Sequence, residues 1–227
     1  MSVTVIIPAA GAGRRLGFGV PKALVEIGGK PLIIHTLQPF LAFEDVREVV
    51  VAVPPDEEKA FEALTGTYSP GDIIRIVRGG RSRQDSVMNA FQALDAGKSD
   101  IVLVHDAARP LVTTATISDV INKARKFGAA VAVVPVTDTL KSSRGDVSTL
   151  TTVDRDGLYH AQTPQGFQYA ILREALETAR SAGISGTDTT SLVERIGLPV
   201  KAAAGDKKNF KITTRAELVV AEILLKS

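Results

Sequence analysis

Short β-branched apolar runs alternate along this chain with stretches of helical period, and few folds accommodate that rhythm. The runs fall at Val3–Ile7, Val49–Val53, Ile73–Val77, Ile101–Val104 and Ala129–Val134. The helical stretches lie around Pro31–Leu41, Glu57–Leu64, Ser82–Ala96 and Thr114–Phe127. A continuous apolar run suits a strand covered on both faces. Strands alternating with helices predict βαβ units, and so an α/β, doubly wound, mostly parallel sheet with helices on both faces. In such sheets ligands bind beyond the carboxyl ends of the strands. The residues just after each run are therefore the ones to read for chemistry.

The rhythm breaks at Thr137. From there to Gln165, threonine, other β-branched residues and turn residues dominate, and no helical period is visible. Short antiparallel strands are predicted, joined at Arg144-Gly145-Asp146 and at Arg155-Asp156-Gly157, the latter a hairpin signal. Together they make a β-arm at about 138–163 that either covers the site or grips a partner. Helix returns at Gln168–Ala182 with Gly183 as its C-cap. A helix over Asp188–Ile196 follows Thr187 as N-cap, then a strand near Val200–Ala203 and a helix over Thr214–Leu225. The 227 residues fit one domain carrying this arm.

The first strand runs into Pro8-Ala9-Ala10-Gly11-Ala12-Gly13-Arg14-Arg15-Leu16-Gly17, with Pro21-Lys22 close behind. Glycine lets the backbone turn sharply and approach a ligand, and successive N–H groups in such a turn form an anion-binding concavity. Arg14, Arg15 and Lys22 add positive charge, so the loop suits a phosphate chain. It is not a Walker loop, which needs Gly-Lys-Ser or Gly-Lys-Thr after a first glycine and four residues. Nor is it the dinucleotide fingerprint, because Leu16 stands where the third glycine belongs. Composition narrows the field further. The absence of cysteine removes disulfides, zinc–thiolate sites and thiol catalysis. A net charge of +2 gives no global basic field for nucleic acid. No apolar run approaches the length of a membrane span, and the start enters a strand directly with no leader pattern. The expectation is a soluble cytoplasmic protein.

The loop Pro8-Ala9-Ala10-Gly11-x-Gly13-x-Arg15 with Pro21-Lys22 resembles the signature of nucleotidyltransferases that join a nucleoside monophosphate to a phosphorylated sugar or polyol. Later motifs make the chain similar to the 2-C-methyl-D-erythritol 4-phosphate cytidylyltransferases of the non-mevalonate isoprenoid pathway. These are Gly79-Gly80-Arg81-Ser82-Arg83-Gln84-Asp85-Ser86, His105-Asp106-Ala107-Ala108-Arg109-Pro110, Val153-Asp154-Arg155, Ala161-Gln162-Thr163-Pro164-Gln165 and Asn209-Phe210-Lys211-Ile212-Thr213. The resemblance spans nearly the whole chain. It implies a Rossmann-like nucleotidyltransferase that transfers CMP from CTP to 2-C-methyl-D-erythritol 4-phosphate. The products would be 4-diphosphocytidyl-2-C-methyl-D-erythritol and pyrophosphate.

It also implies roles. Arg15, Lys22 and Lys211 would act on the transferring phosphoryl group. Pro8, Ala9, Ala10, Gly11, Gly13, Gly79, Gly80, Arg81, Ser86 and Ala107 would hold the nucleotide, with cytosine read near Gly80 and at the Ser86 hydroxyl. Asp106, Arg109, Thr139, Arg155 and Thr163 would hold the acceptor. Asp106 would also face a magnesium ion, and the arm would reach the neighbouring subunit of a homodimer. On the residues alone other readings stay open. Asp106 and Arg109 read equally as a pair shaping a turn, the arm threonines as ordinary strand residues, and Ser82 as an N-cap. Lys211 stands in a basic stretch with Lys207 and Lys208. Some relatives carry an acid where this chain has Arg81. His35, His105 and His160 read as structural. The acceptor phosphate is already an anion, so no strong base is required. Ribitol 5-phosphate remains open as acceptor. A non-catalytic nucleotide-sensing module is the reading from another class, against which the joint presence of Lys22, Asp106 and Lys211 stands.

Overall fold

The computed structural model describes residues 2–11, 20–68, 73–95, 99–143 and 148–226. In chain order its elements begin with strand β1 (Val3–Pro8), a 3-10 turn (Lys22–Leu24), the short strands β2 (Glu26–Ile27) and β3 (Lys30–Pro31), and helix α1 (Leu32–Leu41). There follow β4 (Val46–Val53), α2 (Glu58–Tyr68), β5 (Ile74–Arg78), α3 (Arg83–Gln92), β6 (Ile101–Val104), α4 (Thr114–Phe127) and β7 (Ala129–Pro135). The last group is β8 (Leu140–Ser142), β9 (Thr151–Val153), β10 (Tyr159–Gln168), α5 (Tyr169–Ser181), α6 (Thr190–Arg195), β11 (Lys201–Ala204) and α7 (Arg215–Lys226).

Among the described residues seven strands form one sheet in the order β11-β7-β10-β6-β1-β4-β5. Within that sheet only β10 runs antiparallel to its neighbours. Alternate residues of the apolar runs point to opposite faces. Val3, Val5 and Ile7 of β1 join Val49, Val51 and Val53 of β4 in a core closed by Ile33, Leu37 and Phe40 of α1 and Ile117 and Val120 of α4. Ile6, Val50, Val102 and Val104 face the other way, against Val87 and Phe91 of α3 and Leu172 and Leu176 of α5. A third cluster, with Ile27, Leu32, Ala108, Ile212 and Ala221 at its centre, seats α7. The doubly wound architecture expected from the sequence is the one observed.

Several local readings need correction. The α6 helix is not capped by Thr187. Asp188 does this work, its Oδ1 accepting from Ser191 N–H (2.9 Å) and its Oδ2 from the Thr190 hydroxyl (2.7 Å). Thr214 caps α7 in a reciprocal box with Glu217. In the arm, β8 and β9 do pair antiparallel, Leu140 opposite Val153 and Ser142 opposite Thr151. The predicted turn at Arg144-Gly145-Asp146 lies outside the described residues. Arg155–Leu158 does form a turn, with Gly157 at φ +77° and Leu158 N–H donating to Arg155 O. It makes no hairpin, because the strand after it joins the central sheet. Tyr159, His160 and Ala161 pair with Pro135, Val134 and Val133 of β7.

Candidate active site

The cleft opens at the carboxyl ends of β1, β5 and β6, with an empty volume of about 700 Å3. Pro8, Ala9, Ala10 and Gly11 line it after β1, Gly80, Arg81, Ser82, Arg83 and Ser86 after β5, and Asp106, Ala107 and Ala108 after β6. Lys22 and Lys211 enter from two other segments. Gly13, Arg14 and Arg15 lie outside the described residues.

Gly79 and Gly80 are needed for close approach. A Cβ on Gly79 would stand 2.5 Å from the Ala10 Cβ, and one on Gly80 would stand 2.2 Å from the Asp85 Cβ. Ser82 caps α3, accepting from Asp85 N–H, while the Asp85 carboxylate accepts from Ser82 N–H. The buried Ser86 hydroxyl donates to Ser82 O (2.9 Å) and accepts from Gly80 N–H (3.0 Å). It therefore shapes this loop as well as lining the cleft, one turn inside the helix.

Asp106 is the electrostatic centre. Its Oδ1 lies 2.8 Å from Arg83 Nε, and its Oδ2 lies 2.8 Å from Lys211 Nζ and 3.8 Å from Arg109 Nε. Burial would raise this carboxyl, but the charges of Arg83 and Lys211 overcome that and hold it well below the usual carboxylate range. Lys211 gets there because its neighbour Ile212 is fully buried and donates its N–H to Ala108 O (2.9 Å). Lys22 is set by Pro21 and the 3-10 turn, with Leu24 N–H donating to Pro21 O and Ala23 buried behind it. Among the described residues four cations line the cleft, Lys22, Arg81, Arg83 and Lys211, against one carboxylate. That imbalance suits a polyanion.

Magnesium is a separate question. Among the described residues no three acidic or histidine side chains gather into a metal site. Both Asp106 oxygens are engaged by cations at 2.8 Å. This donor set does not fit a magnesium ion held by the protein, which prefers anionic oxygen ligands free to face it. Asp106, expected to face magnesium, is engaged here by Arg83 and Lys211.

Behind Asp106 stands His105, fully buried against Phe40. Its Nε2 contacts Arg109 O at 3.0 Å. A carbonyl only accepts, so Nε2 carries the proton and the opposite nitrogen accepts. The Thr163 hydroxyl therefore donates to His105 Nδ1 (3.0 Å) while accepting from Asp106 N–H (3.0 Å). Burial pushes the imidazole down to about 4, in keeping with this neutral tautomer. His105 is thus structural, as expected, but it also sets the Asp106 backbone through Thr163.

Four expected acceptor residues do not line this cleft. Thr163 is buried, its hydroxyl committed to His105 and Asp106. Arg109 lies behind Asp106 and donates to Asn209 O (2.6 Å). Thr139 and Arg155 are exposed and away from the cleft of their own chain, Arg155 bonding Thr137 O. Sequence reasoning missed Arg83 and Asn209. Arg83 was visible only as the second arginine of a capped loop. Asn209, fully buried, donates to Thr163 O (2.8 Å) two residues before Lys211.

The sequence pattern of the 2-C-methyl-D-erythritol 4-phosphate cytidylyltransferase family matches residues 3–227. This chain belongs to that family. It is 43% identical over 227 residues to the 2-C-methyl-D-erythritol 4-phosphate cytidylyltransferase of Geobacillus kaustophilus, covering all of this chain and 98% of that one. The protein of the same name from Acidobacterium capsulatum is 42% identical, with the same coverage. The crystal structure of the Thermus thermophilus cytidylyltransferase superposes with a TM-score of 0.83 at 38% identity over both whole chains. The 4-diphosphocytidyl-2C-methyl-D-erythritol synthase of Anaerococcus prevotii gives 0.86 at 28% identity, over all of this chain and 99% of that one. As a cytidylyltransferase family member the chain is an enzyme.

Proposed function

We propose that the enzyme transfers CMP from CTP to 2-C-methyl-D-erythritol 4-phosphate. The products are 4-diphosphocytidyl-2-C-methyl-D-erythritol and pyrophosphate. The observation that carries this reading is the convergence of four cations from three segments on one cleft beside a glycine loop shaped by Ser86. The acceptor phosphate oxygen forms a bond to the α-phosphorus, and the bond from that phosphorus to the bridging oxygen of the β-phosphate breaks. No proton moves. Catalysis is then positioning and charge stabilisation. Lys22 and Lys211 neutralise charge on the transferring group, joined in this reading by Arg15 on the strength of the sequence resemblance. Pro8, Ala9, Ala10, Gly11, Gly80, Arg81 and Ala107 cradle the nucleotide, and cytosine lies against the Gly79–Ser86 loop. A magnesium ion carried by the triphosphate would neutralise phosphate charge, and the residues of this chain would hold the nucleotide rather than the metal.

Thr139 and Arg155 serve the neighbouring subunit of a homodimer. Supporting this, every described residue from 148 to 161 is exposed, including Leu150, Val153, Leu158 and Tyr159. Exposed apolar residues gathered on one projection mark a contact surface. No described helix is long and apolar enough to cross a membrane, and a cytoplasmic setting is proposed with the cysteine-free composition in its support.

The deciding experiment is pyrophosphate release from CTP, with magnesium, against methylerythritol 4-phosphate, ribitol 5-phosphate and no acceptor. Turnover is expected with the first. It should fall when UTP replaces CTP, since an unpaired buried polar group costs about 1–3 kcal/mol. Turnover only with ribitol 5-phosphate, or with neither acceptor, overturns the reading.

A further inference from the structure

Arg83 reaches Asp106 with only part of its guanidinium. Its Nη1 donates to the hydroxyl of Thr189 at 3.1 Å. Thr189 is buried, lies just ahead of α6, and lines no part of the nucleotide cleft. Its own position is fixed from behind. Its N–H donates to Gln165 Oε1 (3.1 Å), and Gln165 Nε2 donates to Asp188 Oδ2 (2.6 Å). Gln165 belongs to β10 and pairs with Val104, two residues before Asp106. The contacts therefore close a ring: Asp106, Arg83, Thr189, Gln165, and back through the sheet to Asp106. A neighbouring clamp holds the same segment to α3, with Gln84 donating to Ile184 O and accepting from Gly186 N–H, both at 2.9 Å.

We propose that Thr189 is a positioning residue for cytidylyl transfer, orienting the Arg83 guanidinium so that its Nε–H holds the Asp106 carboxylate in place. A guanidinium is planar and rigid, so fixing one N–H direction fixes the others. Without an acceptor at Nη1 the plane turns towards water, since the Arg83 side chain is 27% exposed. Asp106 then loses one of its two closest partners, and Lys211, which shares the carboxylate, shifts with it. The base-reading loop is untouched, because Ser86 and Gly80 bond each other and Ser82. The effect belongs in kcat rather than in nucleotide binding.

This inference rests on the cleft being the cytidylyl-transfer site. The test compares the wild type with Thr189→Val, which keeps the buried volume and loses the acceptor, Thr189→Ser, which keeps it, Arg83→Lys, and Arg83→Lys with Thr189→Val. Measured are kcat, KM for CTP and thermal melting. Thr189→Val should lose about tenfold in kcat, the rate equivalent of one misdirected hydrogen bond, with KM for CTP unchanged. Serine should restore the rate. A lysine cannot serve Asp106 and Thr189 together, so Arg83→Lys should be slowed and the double variant no slower than it. Wild-type kcat in Thr189→Val, a rise in KM for CTP without loss of kcat, or failure of serine to restore would each overturn the proposal. Should Thr189→Val melt too early to assay, Arg83→Lys decides, and wild-type kcat there overturns it. Failure of the underlying reading shows differently, as a wild-type enzyme without turnover.

Discussion

A carboxylate pinned by three cations acts through what it holds still. Lys211 is aimed by Asp106 and by the buried Ile212 beside it, and Lys22 by Pro21 and the turn that follows. Replacing either lysine by alanine should cost on the order of 100–1,000-fold in kcat, the usual effect of losing one preorganised electrostatic contact. Circular dichroism and the melting temperature should stay near those of the wild type, and near-normal kcat in either variant would refute its role. His105 supplies a pH prediction. Its folded value is depressed from 6.5 to about 4 by burial, so below pH 6.5 the unfolded chain binds the proton first. Stability is therefore full above pH 6.5 and falls as pH drops towards 4, by about 3 kcal/mol in all. Urea midpoints between pH 7 and 4.5 should show this slope, and a His105→Gln variant should flatten it; an equal slope in the variant would assign the effect elsewhere. The expected cleft residues Lys22, Asp106, Lys211 and Gly80 were legible because short motifs carry them. The burial of Thr163 and the reach of Arg83 were not, because both depend on partners far away in sequence.

At the scale of elements, the strands buried on both faces were the easiest to read. Continuous apolar runs such as Ile101–Val104 leave little alternative, and the α4 boundaries, Thr114–Phe127, were predicted as observed. Strand β10 was misassigned in part to the arm. Its buried Gln162, Thr163 and Gln165 satisfy their polar groups internally, so no apolar alternation marks the strand. What does mark it is Gly166. A Cβ there would lie 2.7 Å from Val120 Cγ1 and 3.2 Å from the Ala124 Cβ, so α4 rests directly on this glycine. Gly166→Ala should destabilise the protein by about 1–3 kcal/mol, as overpacking of a filled core does. Chemical denaturation reads this directly, and an unchanged midpoint would show that α4 can ride outward at no cost.

For the whole molecule, the dimer expectation makes a counting prediction. If the arm crosses a two-fold axis, one site uses Lys22 of one chain and Arg155 of the other. Co-expressing Lys22→Ala with Arg155→Ala, each nearly inactive alone, should give mixed dimers in which one site carries both defects and the other neither. Purified mixed dimers should recover roughly half of wild-type activity by this site count; mixed dimers as inactive as the parents would mean that each arm serves its own chain. The lone antiparallel strand has a different consequence, in the order of synthesis. Residues 3–104 supply β5, β4, β1 and β6, four mutually parallel strands that are adjacent in the finished sheet. They can assemble while the rest of the chain is still on the ribosome. The open edge of β6 must then wait for residues 165–168 to emerge, and Asp106 waits for Thr163 with it. An unpaired edge beside an apolar strand invites pairing with another chain. Chains cut at residue 135 should therefore self-associate on size-exclusion chromatography, whereas chains cut at residue 182, with the edge covered, should do so far less. Equal association of the two would show that the nascent half-sheet protects its own border.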